Sequence, residues 1–128
     1  MITRFKAGVT IEPTAVTARL LGAVDRVAMN SSFDITVTSG SDSHPINDVH
    51  TRGLALDLRS HDLDDVEKAD MMRAILWELA DEAPEDVSAR NRAWLALETD
   101  EWFIQLEAHG DLTEHVHLQR RQGALPFD

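Results

Sequence analysis

The stretch His50-Thr51-Arg52-Gly53-Leu54-Ala55-Leu56-Asp57 and, sixty residues beyond Asp57, the end of Glu114-His115-Val116-His117 hold the residues best suited to chemistry. His50, Asp57 and His117 offer two imidazoles and a carboxylate, enough to close three sides of a tetrahedral metal site. Glu114 and His115 stand beside the fourth, open side. Three protein ligands and one open position are the mark of a catalytic zinc, because a structural zinc takes four ligands. The chain has no cysteine, so any bound metal must use imidazole and carboxylate. The expectation is a small zinc hydrolase.

Such a site needs strands to hold it. Leu54, Leu56 and Leu58 alternate with Ala55, Asp57 and Arg59, which predicts a strand whose leucines face away from Asp57. His115, His117 and Gln119 share one face of a second strand, with Val116 and Leu118 on the other. Neighbouring strands lie about 4.8 Å apart, so Asp57 and His117 reach one ion provided that these strands are adjacent. His50 arrives from the preceding loop, and Gly53 allows a tight turn between them.

The other elements follow from periodicity. Pro13-Thr14 opens a helical segment in which Val16, Leu20, Ala23, Val24 and Val27 recur, ending near Asn30-Ser31-Ser32. Phe33, Ile35 and Val37 alternate with polar residues as a half-buried strand, and residues 39–48 form a loop. Val66, Met72, Ile75, Leu76 and Leu79 return to helical spacing until Pro84, and residues 87–97 predict a further short helix. Residues 102–107 and 115–119 close the chain as strands around Gly110-Asp111. Trp77, Trp94 and Trp102 lie on apolar segments and are expected in the core, while His61 and His109 are expected in exposed loops. There is no βαβ rhythm. The expectation is one α+β domain over residues 1–128, a small, mostly antiparallel sheet flanked by helices.

Composition narrows the partners. A hydrophobic fraction of 43% with 27% charged residues is that of an ordinary globular chain. A net charge of −11 argues against a nucleic-acid partner, which requires clustered Lys and Arg. Acid concentrates in residues 62–70 and 78–86, read as solvated helix faces. Neither a membrane span nor an apolar run of signal-peptide length is present in the sequence. Localisation is therefore expected to be cytoplasmic at synthesis.

His50, Gly53, Ala55 and Asp57 match the H-x-x-G-x-A-x-D motif, and Glu114 with His117 matches a closing acid-x-x-His element. On these residues the chain resembles the M15 zinc peptidases, the D-Ala-D-Ala carboxypeptidase and phage endolysin group, with a hedgehog-like metallopeptidase fold. The resemblance runs from about Phe33 to Gln119 and implies hydrolysis of peptides in peptidoglycan stems, with release to the cell wall by a phage-type export route. It implies Zn2+ held by His50, Asp57 and His117, with Glu114 as general base and His115 steadying the developing oxyanion. Glu107 competes for the acid–base role. His44 and Arg52 are the candidate substrate contacts.

Two positions depart from the family pattern. Many members carry S-G-Y-R before the first histidine, whereas this chain has Ser39-Gly40-Ser41-Asp42 and no arginine there. Many also have a serine where this chain has Asp48. Arg52 and Arg59 are the replacements on offer. A second reading takes the same fold as a non-catalytic, metal-stabilised binding module, such as part of a phage virion. Retention of Glu114 favours the enzyme, and loss of the arginine favours the module.

Overall fold

Thr14 starts the first long helix. In the computed structural model, which describes residues 1–42, 44–80, 82–121 and 123–124, α1 spans Ala15–Met29. The Thr14 hydroxyl accepts from the Thr17 N–H and the Thr17 hydroxyl accepts from the Thr14 N–H, a reciprocal cap that satisfies two otherwise orphaned donors. Val16, Leu20, Ala23, Val24 and Val27 then form its buried stripe, as their spacing predicts. A second long helix, α2 (Asp65–Leu79), is capped in the same manner by Asp64 and Glu67.

The strands are β1 (Thr3–Phe5), β2 (Ile35–Ser39), β3 (Ala55–Arg59), β4 (Glu85–Asp86), β5 (Ala96–Glu98), β6 (Trp102–Glu107) and β7 (His115–Arg120). A one-turn helix, α3 (Ser88–Asn91), lies between β4 and β5. Together they make a mixed α/β fold with one seven-stranded sheet in the order β1-β2-β3-β7-β6-β5-β4. β1 runs parallel to β2, and the other described pairings are antiparallel. The two long helices pack on each other and on the sheet, and the core fills the space between. Leu56 and Leu58 of β3, Ile104 and Leu106 of β6, and Val116 and Leu118 of β7 supply its sheet side. Alternation leaves Asp57, Glu107, His115 and His117 on the opposite face.

Several expectations change. The sheet is wider than the sequence suggests, because β1, β4 and β5 extend it. Residues 87–97 are mostly not helical: α3 takes one turn and β5 pairs with β6. Val66 is 70% exposed, and the buried face of α2 instead runs through Lys68, Met71, Met72, Ile75, Leu76 and Leu79. Trp102 is in the core, but Trp77 is 77% exposed and Trp94 stacks on His109 near the surface. Among the described residues, no helix is long and apolar enough to cross a membrane.

Candidate metal centre

β3 and β7 are adjacent, and Asp57 lies directly opposite His117 in their register. His50 reaches the same point from a turn that the chain bonds to itself. Gly53 N–H donates to the His50 carbonyl and Leu54 N–H to that of Val49, while the Thr14 hydroxyl donates to the Gly53 carbonyl at 2.6 Å. Gly53 has φ +70°, and a Cβ there would stand 2.3 Å from Thr14 Cγ2, so the turn requires glycine on both counts. Thr14 thus serves the cap of α1 and the ligand turn at once.

His50 Nε2 is 3.0 Å and His117 Nδ1 is 3.1 Å from the same oxygen, Asp57 Oδ1. A tetrahedral ion with bonds of about 2.0–2.1 Å spaces its ligand atoms by roughly 3.3 Å, so the three atoms fit one ion. All three residues are buried, and this trio can hold a metal.

The outer bonds decide which nitrogens face inward. His50 Nδ1 is 2.6 Å from Asp48 Oδ1, and a carboxylate only accepts, so Nδ1 carries the hydrogen. His117 Nε2 is 2.8 Å from Gln119 Oε1 and donates in the same way. The remaining nitrogens, His50 Nε2 and His117 Nδ1, therefore turn lone pairs toward a carboxylate oxygen. Three lone-pair donors at one point need a cation between them, either a proton or a metal ion. This donor set fits a metal on its own chemistry. Without one, burial pushes the His50 pKa down, but its bonds to Asp57 and Asp48 outweigh burial and leave it raised. Burial likewise opposes the Asp57 charge, yet hydrogen bonds from His117 and His50 hold its carboxyl far below the usual range.

His44 joins the cluster from the loop. Its ring stacks on that of His50 with centroids 3.7 Å apart, and Nε2 lies 2.7 Å from the Ser39 hydroxyl and 3.7 Å from Asp57 Oδ2. His115 approaches from β7, with Nε2 4.0 Å from Asp57 Oδ1 and 3.0 Å from Glu107 Oε2, and Nδ1 2.9 Å from the Thr113 carbonyl. The Glu107 hydrogen bond, against burial, raises the His115 pKa to about 9, so this ring is an imidazolium at neutral pH. A cavity of about 270 Å3 opens beside Asp57 and His115.

Glu114 borders that cavity, but its carboxylate is committed elsewhere. It accepts from the Ser60 hydroxyl at 2.7 Å, the Gly110 N–H at 2.8 Å and the Lys68 ammonium at 2.9 Å, with its side chain 1% exposed. Strand parity carries the reason: Glu114 has the phase of core-facing Val116 and Leu118. Glu107 has the opposite phase and is the acid that meets His115. Arg52 is exposed in the turn and lines no part of the cavity; its backbone N–H donates to the Asp48 carbonyl. Sequence reasoning left Asp48 and Gln119 without roles, although Gln119 shares the face of His117 and Asp48 stands two residues before His50. Nothing local to residues 65–79 singled out Lys68. Comparison with protein families, with curated proteins and with solved structures found no match.

Proposed function

We propose that this chain is a zinc-dependent peptidase of peptidoglycan stem peptides, built on a fold of the hedgehog and D-Ala-D-Ala-peptidase kind. The observation that carries the proposal is the convergence of His50 Nε2, Asp57 Oδ1 and His117 Nδ1, with both outward ring nitrogens bonded to Asp48 and Gln119. Two imidazoles and one carboxylate without thiolate suit zinc, and three protein ligands leave a position for substrate or water. Zinc bound there supplies a Lewis acid for the scissile carbonyl and lowers the pKa of water.

The chain's own residues supply the rest. Asp48 and Gln119 fix the ring orientations and keep the inward nitrogens free of hydrogen. His115 holds a proton at Nε2, 4.0 Å from Asp57 Oδ1, where an imidazolium can hydrogen-bond a developing oxyanion or release a proton to a leaving amine. In the absence of substrate Glu107 accepts that hydrogen at 3.0 Å, and it would give way as a substrate oxygen or amine takes its place. We therefore assign proton handling to the Glu107–His115 pair, and a structural role to Glu114. His44, stacked on His50 and 3.7 Å from Asp57 Oδ2, is a neighbouring side chain that a substrate at the cluster would meet.

The second reading, a metal-stabilised binding module, is favoured by one observation, the engagement of Glu114 by Lys68. The discriminating experiment incubates the zinc-loaded protein with purified peptidoglycan. Release of D-Ala or stem-peptide fragments, abolished by chelation, is expected of the peptidase. Stoichiometric zinc with no product from any wall peptide decides for the module.

A further inference from the structure

The His50 ring has a second side, and a second set of donors stands on it. His44 lies against His50 with ring centroids 3.7 Å apart and planes 2° from parallel. The two rings are strung between two carboxylates. Both Nδ1 atoms face Asp48 Oδ1, at 2.6 Å from His50 and 3.8 Å from His44, and both Nε2 atoms face Asp57, at 3.0 and 3.7 Å. His44 Nε2 also meets the Ser39 hydroxyl at 2.7 Å, and that hydroxyl donates to the Asp42 carbonyl. A carboxylate, and a hydroxyl whose hydrogen is committed elsewhere, can only accept. The His44 hydrogen therefore sits on Nε2, and its Nδ1 is a lone pair. Among the described residues, His44, Asp48 and His50 form a second group whose ligand atoms lie close enough together to hold one metal ion. The side chains of His44 and Asp48 are 20% and 32% exposed, against 8–10% for His50, Asp57 and His117.

We propose that His44 Nδ1, Asp48 and His50 Nδ1 form an outer divalent-cation site through which the buried centre is loaded. The proposal goes beyond the peptidase reading and rests only on its metal centre. A neutral imidazole offers one lone pair, so His50 serves the outer site or the inner one at any moment. Each of its tautomers has an acceptor waiting. With the outer site filled, the ring hydrogen is on Nε2 and Asp57 Oδ1 accepts it; with the inner site filled, it is on Nδ1 and Asp48 Oδ1 accepts it. The exchange needs no rotation of the ring, only the loss of one hydrogen to solvent and the gain of another. The outer spacings of 2.6 and 3.8 Å straddle the roughly 3.3 Å of a tight tetrahedral site, so the outer site is the weaker and does not trap its ion. The exposure of His44 and Asp48 marks the solvent end of the path. A net charge of −11 draws cations to the surface, and capture there speeds the filling of the centre beneath.

The test uses the whole chain, with zinc as the probe and the imidazole nitrogen resonances as the readout of position. In His117→Ala, which lacks the inner centre, added zinc is expected to shift Nδ1 of both His44 and His50 saturably, with an affinity too weak to survive dialysis. Adding His44→Phe, which keeps a stacked ring without a lone pair, should abolish those shifts. With the inner trio intact, exchange of zinc with a chromophoric chelator reads the rates. His44→Phe and His44→Ala are each expected to slow uptake and release alike by about 10-fold, the lower end of what a charged entry cleft contributes, with the dissociation constant unchanged. Equal slowing in both directions marks a residue on the path, whereas one that merely holds the His50 ring changes the equilibrium. An unmoved His44 Nδ1 in His117→Ala, or uptake by His44→Phe as fast as wild type, overturns the entry site and leaves the inner centre. Lost affinity with unchanged uptake makes His44 a packing residue and overturns it as well. A wild-type chain that takes up no zinc removes the inner centre and the entry site together. Loading through His44 with no wall peptide cleaved keeps the entry site and removes only the peptidase reading.

Discussion

Asp57 and Glu114 are two buried carboxylates on opposite sides of the same pair of strands, and they are neutralised differently. Glu114 has a cation of the chain's own, the Lys68 ammonium, plus donors from Ser60 and Gly110. Within hydrogen-bond distance, among the described residues, the Asp57 carboxylate meets two imidazole nitrogens whose partner nitrogens are already bonded to Asp48 and Gln119. A carboxylate with its cation built in pins α2 to the loop before β7. A carboxylate facing lone pairs needs a cation between them, which a proton or a metal ion can supply. The distinction separates a structural buried charge from a functional one without reference to any relative.

The sharpest break between the two clusters comes from removing ligands. His117→Ala and Asp57→Ala are each expected to abolish stoichiometric zinc while the protein stays folded, since a 128-residue chain has a core of its own. Metal analysis after dialysis, paired with circular dichroism, checks this; full zinc in both variants sinks the ligand assignment.

Lys68→Met should do the opposite. It strands Glu114 as an unpaired buried charge and should lower unfolding stability by about 3–5 kcal/mol while zinc stoichiometry is retained. Adding Glu114→Leu should recover most of that loss, which urea titrations of single and double variants measure. A cost under about 1 kcal/mol for Lys68→Met means that Glu114 is free enough to act at the open side after all.

The outer bonds come next in size. Asp48→Ala and Gln119→Ala should each weaken zinc binding by about 10- to 100-fold without removing it. Competition with a chromophoric chelator reads the effect; unchanged affinity in both variants would show that ring orientation is set by packing alone.

The smallest effect is the pH response, where the clusters move in opposite senses. Burial opposes the Glu114 charge, but Gly110, Lys68 and Ser60 outweigh it and lower its pKa. Its stabilising contribution is complete above the ordinary glutamate value of about 4.3 and is lost as pH falls through the lower folded value. His50 has a raised pKa in the absence of metal. Its contribution is complete below about 6.5 and is lost as pH rises through the higher folded value. Metal-free protein should therefore melt lower at pH 8 than at pH 6. Zinc affinity should rise over the same interval, because the ion displaces that proton. Melting curves with and without zinc that shift in parallel would contradict the assignment.

Period-two patterning made β3, β6 and β7 legible, and with them the face that carries Asp57, His115 and His117. Their adjacency was not legible, because pairing across sixty residues depends on topology rather than on local spacing. Glu114 was placed at the open side by its distance to His117, whereas its parity with Val116 sets it toward Ser60, Gly110 and Lys68. β1, three residues long, has no pattern of its own and exists through its pairing with β2. β5 hid inside residues whose Ala and Leu content favours helix, and pairing with β6 overrides that preference. Val66 was assigned inward by its spacing and Trp77 by its apolar segment, while the rotation of α2 puts Lys68 under Glu114 and turns both outward.

The Thr14 hydroxyl, shared between the first turn of α1 and the Gly53 carbonyl, makes those segments a single unit of local opening. Fraying of the helix end releases the turn that aims His50, and loosening of that turn uncaps the helix. Amide protons of residues 15–18 and 50–54 should accordingly exchange with matched protection, and Thr14→Val should lower both together. Independent rates would show the two segments to be uncoupled. An ion held at the centre would then leave more readily as a helix end that touches none of its ligands opens.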